Sequence, residues 1–133
     1  MPTTTKAHFE LFKTECQKWQ KFFGLLSWRI MYLHEEPRSK AMASCATSLS
    51  QRVATIRLNP KWPREELNDK IIKETAFHEI CELLLTRLDH YMTARFVIDD
   101  SDFEEALHEV IRTLENVIFN ARRYKKRNQN GLD

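Results

Sequence analysis

Three residues close together in the chain have the types and spacing to hold a metal ion. They are His78, Glu79 and Glu82, in the stretch Lys73-Glu74-Thr75-Ala76-Phe77-His78-Glu79-Ile80-Cys81-Glu82-Leu83-Leu84-Leu85. The pattern His-Glu-x-x-Glu differs by one residue from the His-Glu-x-x-His zinc motif. Each residue of an α-helix advances about 100°, so His78 and Glu82 lie about 40° and one turn apart. Both can reach one ion. Glu79 stands about 100° round from His78, beside that ion, where it could hold a water and take its proton. Phe77, Ile80, Cys81, Leu84, Leu85 and Leu88 fall on the other side and predict a buried face. The same pattern also fits an amphipathic helix whose acidic edge is merely solvated.

A second group lies near the C-terminal end. On a helix, Glu105, His108, Glu109, Arg112 and Asn116 share an arc of about 100°. Acid, histidine and acid together are unusual for a plain solvated stripe, while Arg112 between acids suits surface salt bridges. Other candidates offer less. His34-Glu35 is followed at once by Pro37, so no helix can bring a further ligand one turn on. His8 stands alone and is expected at the surface. Cys16, Cys45 and Cys81 have no Cys-x-x-Cys spacing, which indicates neither a zinc ribbon nor a disulfide framework. Two glycines in the whole chain exclude Gly-rich phosphate loops.

The elements that must position these residues follow from periodicity. Phe9, Phe12, Cys16, Trp19 and Phe23 recur at steps of three and four and predict a helix from about Thr5 to Phe23, stopped at Gly24. Ser27 to His34, Ala41 to Ser48 and Arg52 to Leu58 read as three short strands, expected as an antiparallel meander. The small residues of the second leave room for another backbone. Asn59-Pro60-Lys61-Trp62-Pro63 breaks the sheet. A helix is expected from about Pro63 to Leu88, with a break near Asn68, and it carries His78, Glu79 and Glu82. Asp89 to Asp100 is a connector. Ser101 and Glu104 have capping-box spacing and open a last helix reaching about Tyr124. Phe103, Leu107, Val110, Ile111, Leu114, Val117, Ile118 and Ala121 are its expected buried face.

At 133 residues the chain is long enough for one domain with a core and too short for two. Its 42% hydrophobic and 30% charged residues are ordinary for a globular protein, and a net charge of +2 demands no polyanionic partner. No apolar run approaches the roughly 18 residues of a membrane span, so no membrane partner is expected. The start of the chain has no apolar core of a signal peptide, and a reducing cytosol is the expected compartment. The basic tail, about 122–133 with Arg122-Arg123-Tyr124-Lys125-Lys126-Arg127, leaves a nucleic-acid contact open. A solvated terminus is the plainer reading.

The order of helix, three strands, motif helix, connector and ligand-bearing helix resembles the minimal zincin fold of small metallopeptidases. SprT-like and minigluzincin domains are examples, and the likeness is closer to small metallopeptidases encoded by bacteriophages and prophages. It runs from about Trp28 to Asn120. It rests on Trp28-Arg29-Ile30, Val53-Ala54-Thr55-Ile56-Arg57-Leu58, the His78 to Leu85 stretch, Glu104-Glu105 and Ile111 to Asn116. The resemblance implies a single α+β zincin-like domain over residues 1–133. It also implies a Zn2+ cofactor on His78 and Glu82, with Glu79 as catalytic base. By the same likeness Glu105 is the third ligand and Glu109 orients His78, with His108 the competing ligand. Glu82 departs from the usual histidine, and the extra carboxylate makes a weaker Lewis acid. An edge strand, Ala41 to Ser48 or Arg52 to Leu58, would pair with a peptide or protein substrate. A scaffold that has lost its chemistry and binds a host protein is the alternative. The Glu-x-x-His of Glu105 to His108 also fits a di-iron helix bundle, but a second such motif is absent.

Overall fold

A computed structural model describes residues 2–93 and 99–120. The expected mixed α+β architecture is present: a three-stranded sheet with helices before and after it. Helix α1 spans Lys6–Phe22. Thr5 caps it, accepting from the His8 N–H, while the Thr5 N–H donates to His8 Nδ1. His8, expected as a free surface residue, is thus the returning half of a capping box. Gly24, at φ +70°, takes the left-handed conformation that ends the helix. Phe12 and Cys16 face inward with no exposed surface.

The sheet departs from the expected antiparallel meander. Strands β1 (Arg29–Leu33), β2 (Ala43–Ser48) and β3 (Val53–Leu58) lie in the order β1-β3-β2. β3 pairs antiparallel with β2 and parallel with β1. Burial gives the reason. Ala54, Ile56 and Leu58 have no exposed surface, so the strand with the most apolar inner face takes the centre. The small, polar β2 is left at an edge. The tight 49–52 turn, with Arg52 at φ 55°, keeps β2 and β3 adjacent. Residues 34–42 are long enough to carry the chain past the place β3 occupies. Tyr32, Ile56 and Cys45 form one row across the sheet, on its helix-covered side.

Helix α2 spans Asp69–Leu84 and begins where the break was expected, with the Asn68 side chain accepting from the Ile71 N–H. Residues 63–68 are therefore not helical. Its packing differs from the expected face. Ile72, Thr75, Ala76, Glu79, Ile80 and Leu83 are buried, whereas Phe77 and Leu85 are 40% and 42% exposed. α1 causes this, since Cys16 reaches the Ala76 carbonyl at 3.8 Å and Trp19 packs edge-on against Phe77. A one-residue interruption at Leu85 leads into α3, Thr86–Thr93, so part of the expected connector is helical. The rest of that connector, 94–98, lies outside the described residues.

Helix α4 spans Asp100–Leu114 and continues into a π-helical turn, Glu115–Phe119. Its cap is Asp99, with Asp102 closing the box, and not the expected Ser101 and Glu104. A carboxylate at this position accepts from the Ser101 and Asp102 N–H groups. Only part of the expected apolar face is covered: Val110 and Val117 are half-buried, Val117 packs against the core, and Ala121 lies outside the described residues. Ala106 alone on α4 is buried, while Phe103, Leu107, Ile111 and Leu114 are 39–50% exposed. Tyr124 and the basic tail Arg122 to Arg127 lie outside the described residues.

Candidate metal centre

His78, Glu79 and Glu82 come together on α2. Each offers a ligand atom within 4.8 Å of the others, and among the described residues no other trio of acids, histidines or cysteines does so. His78 Nε2 and Glu82 Oε1 are 3.9 Å apart. Two donors on one tetrahedral zinc, each about 2.0–2.2 Å from it, sit roughly 3.4 Å apart. Both side chains are open to solvent, at 71% and 52% exposure, so a small rotation closes the difference.

Glu79 is different in kind. Its partners on the helix are solvated, but it faces the sheet and is 4% exposed. Its Oε2 has no hydrogen-bond partner. Burial, then the shared proton and negative charge of Glu82, push the Glu79 carboxyl up to about 9. The Cys45 thiol is pushed up to about 12 by burial and by the charges of Glu79 and Glu82. Cys16 is raised chiefly by burial and next by Glu79. These thiols therefore line the interior into which Glu79 points. Tyr32 OH, the other partnerless buried side-chain atom among the described residues, feels both of them. An orphaned carboxylate oxygen beside an exposed His–Glu pair suits a cation, which would supply the missing charge.

The open face of the trio is a groove along the seam of β2 and α2. A recess of about 280 Å³ is bounded by Met42, Ala43, Thr75, His78 and Glu79. Further along, Glu82 borders a second hollow of about 420 Å³, beside Cys45 and Thr47. The small residues of β2 keep this seam open.

The acidic face of α4 does not share the trio's position. Arg87, on α3, takes Glu109 at 2.9 Å and Glu105 at 3.4 Å. Its Nε also donates to Tyr91 OH at 3.0 Å. Those hydrogen bonds to Tyr91 and Glu109 raise the already high Arg87 pKa further. His108 is exposed and outside the trio. Sequence reasoning missed Arg87, although two acids four residues apart ask for a cation between them. His34, read as a strand end, is held by the Thr4 hydroxyl at 2.7 Å and stacks on Phe9. Burial and then the nearby His8 lower its pKa.

No family model, no curated protein and no solved structure matches the chain. Among the described residues no helix is long and apolar enough to cross a membrane.

Proposed function

We propose that this protein is a zinc-dependent peptidase of zincin type. The observation that carries the reading is the buried Glu79 carboxyl, its Oε2 without a hydrogen-bond partner, beside the exposed His78–Glu82 pair at the floor of an open seam. His78 and Glu82 would hold the ion. Bound there, it supplies a Lewis acid for a peptide carbonyl. Glu79 takes the proton of the attacking water and passes it to the leaving amine. Without a cation Glu79 keeps its own proton at neutral pH, first because it is buried and then because Glu82 stands beside it. A cation shared with Glu82 would offset both the burial and the like charge, favouring the ionised Glu79 that a base requires.

The strand order bears on how substrate would lie. β3 is central and both its edges are used, so of the two strands considered β2 alone offers a free edge. An extended peptide would pair with that edge and present its scissile bond to Glu79. A third ligand from α4 would be Glu105 or His108. Arg87 holds both Glu105 and Glu109, so either would have to leave that guanidinium before it could act at the ion or at His78.

Elemental analysis of protein purified without chelator tests the reading. About one zinc per chain, lost together from His78→Ala and Glu82→Ala, is expected. Glu79→Gln should keep the metal and lose cleavage. A metal-free protein, or a Glu79→Gln variant that still cleaves, overturns it. The engagement of Glu105 and Glu109 by Arg87 favours one second reading, a protein-binding module on a scaffold without chemistry. That reading expects no zinc and unimpaired partner binding by Glu79→Gln.

A further inference from the structure

The hollow of about 420 Å³ at the far end of the seam has a composition unlike the recess beside His78. Its helical wall is a single stripe across the α2–α3 junction: Glu82, Leu85, Asp89 and Met92, with Leu88 behind. Acid and apolar residues alternate along it. Leu85 and Met92 are 42% and 69% exposed, so the apolar floor is open. Among the described residues no lysine or arginine lines the hollow. Asp89 is exposed, and no ion pair holds it among the described residues. The opposite wall is the edge strand β2, through Cys45 and Thr47.

We infer that this hollow is a subsite for a lysine or arginine side chain of a peptide laid along β2. Such a side chain has two parts that match the two kinds of wall. Its methylenes cover Leu85 and Met92, and its charged head reaches Asp89, with Glu82 adding to the field. The length agrees: Leu85 to Asp89 is about 6 Å along the helix, close to the reach of an extended lysine. A carboxylate side chain would meet two like charges, and a purely apolar one would leave Asp89 to be desolvated unpaired. The groove position also sets the spacing. The recess abuts Ala43 and the hollow abuts Thr47, a separation of about 13 Å along a strand. The basic residue thus lies about two to four residues from the bond presented at Glu79, and an even spacing keeps it on the helix side of β2.

The inference rests on the reading of β2 as the peptide-binding edge; it does not require the metal. Binding therefore tests it apart from catalysis. A single lysine is moved along a fluorescein-labelled alanine–threonine octapeptide, with norleucine and glutamate versions at each position. Anisotropy is read with wild-type protein and with Asp89→Lys, in chelator and in zinc, with circular dichroism to confirm that the variant folds. At one position lysine should bind at least tenfold more tightly than norleucine or glutamate, and added salt should erode the difference. Asp89→Lys should reverse the order of lysine and glutamate. Equal binding of the three series, an order unchanged by Asp89→Lys, or no peptide binding overturns the subsite. A lysine preference without zinc uptake or cleavage supports the subsite while the peptidase reading fails. Cleavage indifferent to lysine does the opposite.

Discussion

A carboxyl group shut away from water and left without a donor is a liability unless something else needs it there. Glu79 is such a group, and its proton makes the liability measurable. Its folded value of about 9 lies above the ordinary 4.5, so between those values the folded state binds more protons than the unfolded one. The contribution of Glu79 to stability is therefore fully present below about pH 4.5 and is lost as pH rises towards 9. In chelator, Glu79→Gln should flatten this decline and raise stability near pH 7 by about 3 kcal/mol, the part of the linkage accumulated between pH 4.5 and pH 7. Urea unfolding across pH 5–9 checks it, and a variant no more stable than wild type at pH 8 would mean that the carboxyl has another partner. Burial of this residue could not be read from the pattern. Position 79 sits at the boundary between the apolar and polar arcs of its helix, and α1 decides which way the boundary turns.

At the scale of elements, α4 combines a narrower apolar contact than expected with ion pairs to α3. Its buried contact is the small Ala106, and Arg87 holds Glu105 and Glu109 beside it. Arg87 is 27% exposed and its partners more so, which limits each pair to about 1 kcal/mol or less. Arg87→Met should cost little stability. It should also tighten zinc binding if Glu105 moves to the ion, since the competing cation is gone. Titration with a zinc indicator decides: equal affinity in Arg87→Met and wild type shows that Glu105 takes no part. The cap offers a cleaner structural test. Asp99 accepts two backbone N–H groups at the start of α4, so Asp99→Ala should cost about 1 kcal/mol by thermal melting. Ser101→Ala removes the residue that spacing alone singled out, and should cost less.

For the whole molecule, a ligand bound only by the folded state adds to stability by mass action. Zinc at a hundredfold above its dissociation constant should add about 2.7 kcal/mol and raise the melting temperature, with chelator reversing the shift. His78→Ala and Glu82→Ala should each abolish the shift while melting near wild type in chelator, because both side chains are solvated. A zinc-induced shift that survives both variants would place the ion elsewhere. The core is built without any such ion. Phe12, Ile56, Leu58, Trp62, Ile72 and Ile80 are fully buried around the meeting of α1, α2 and the sheet.

Local signals decided what could be decided locally. The three strands, the first helix and its glycine stop, and the His78–Glu82 pair all follow from spacing within a few residues, whereas α2 was expected to start at Pro63 and starts after the break at Asn68. Side-chain periodicity and capping act over that range. Sheet order, the burial of Glu79 and the orientation of α4 were settled by tertiary packing. Each depends on which of several comparable apolar surfaces meets another far along the chain. β3 gained the centre because its inner face is wholly apolar, and the acids of α4 lie towards α3 because Arg87 is there to receive them. Periodicity says that a helix has two faces; only its neighbours determine which one they cover.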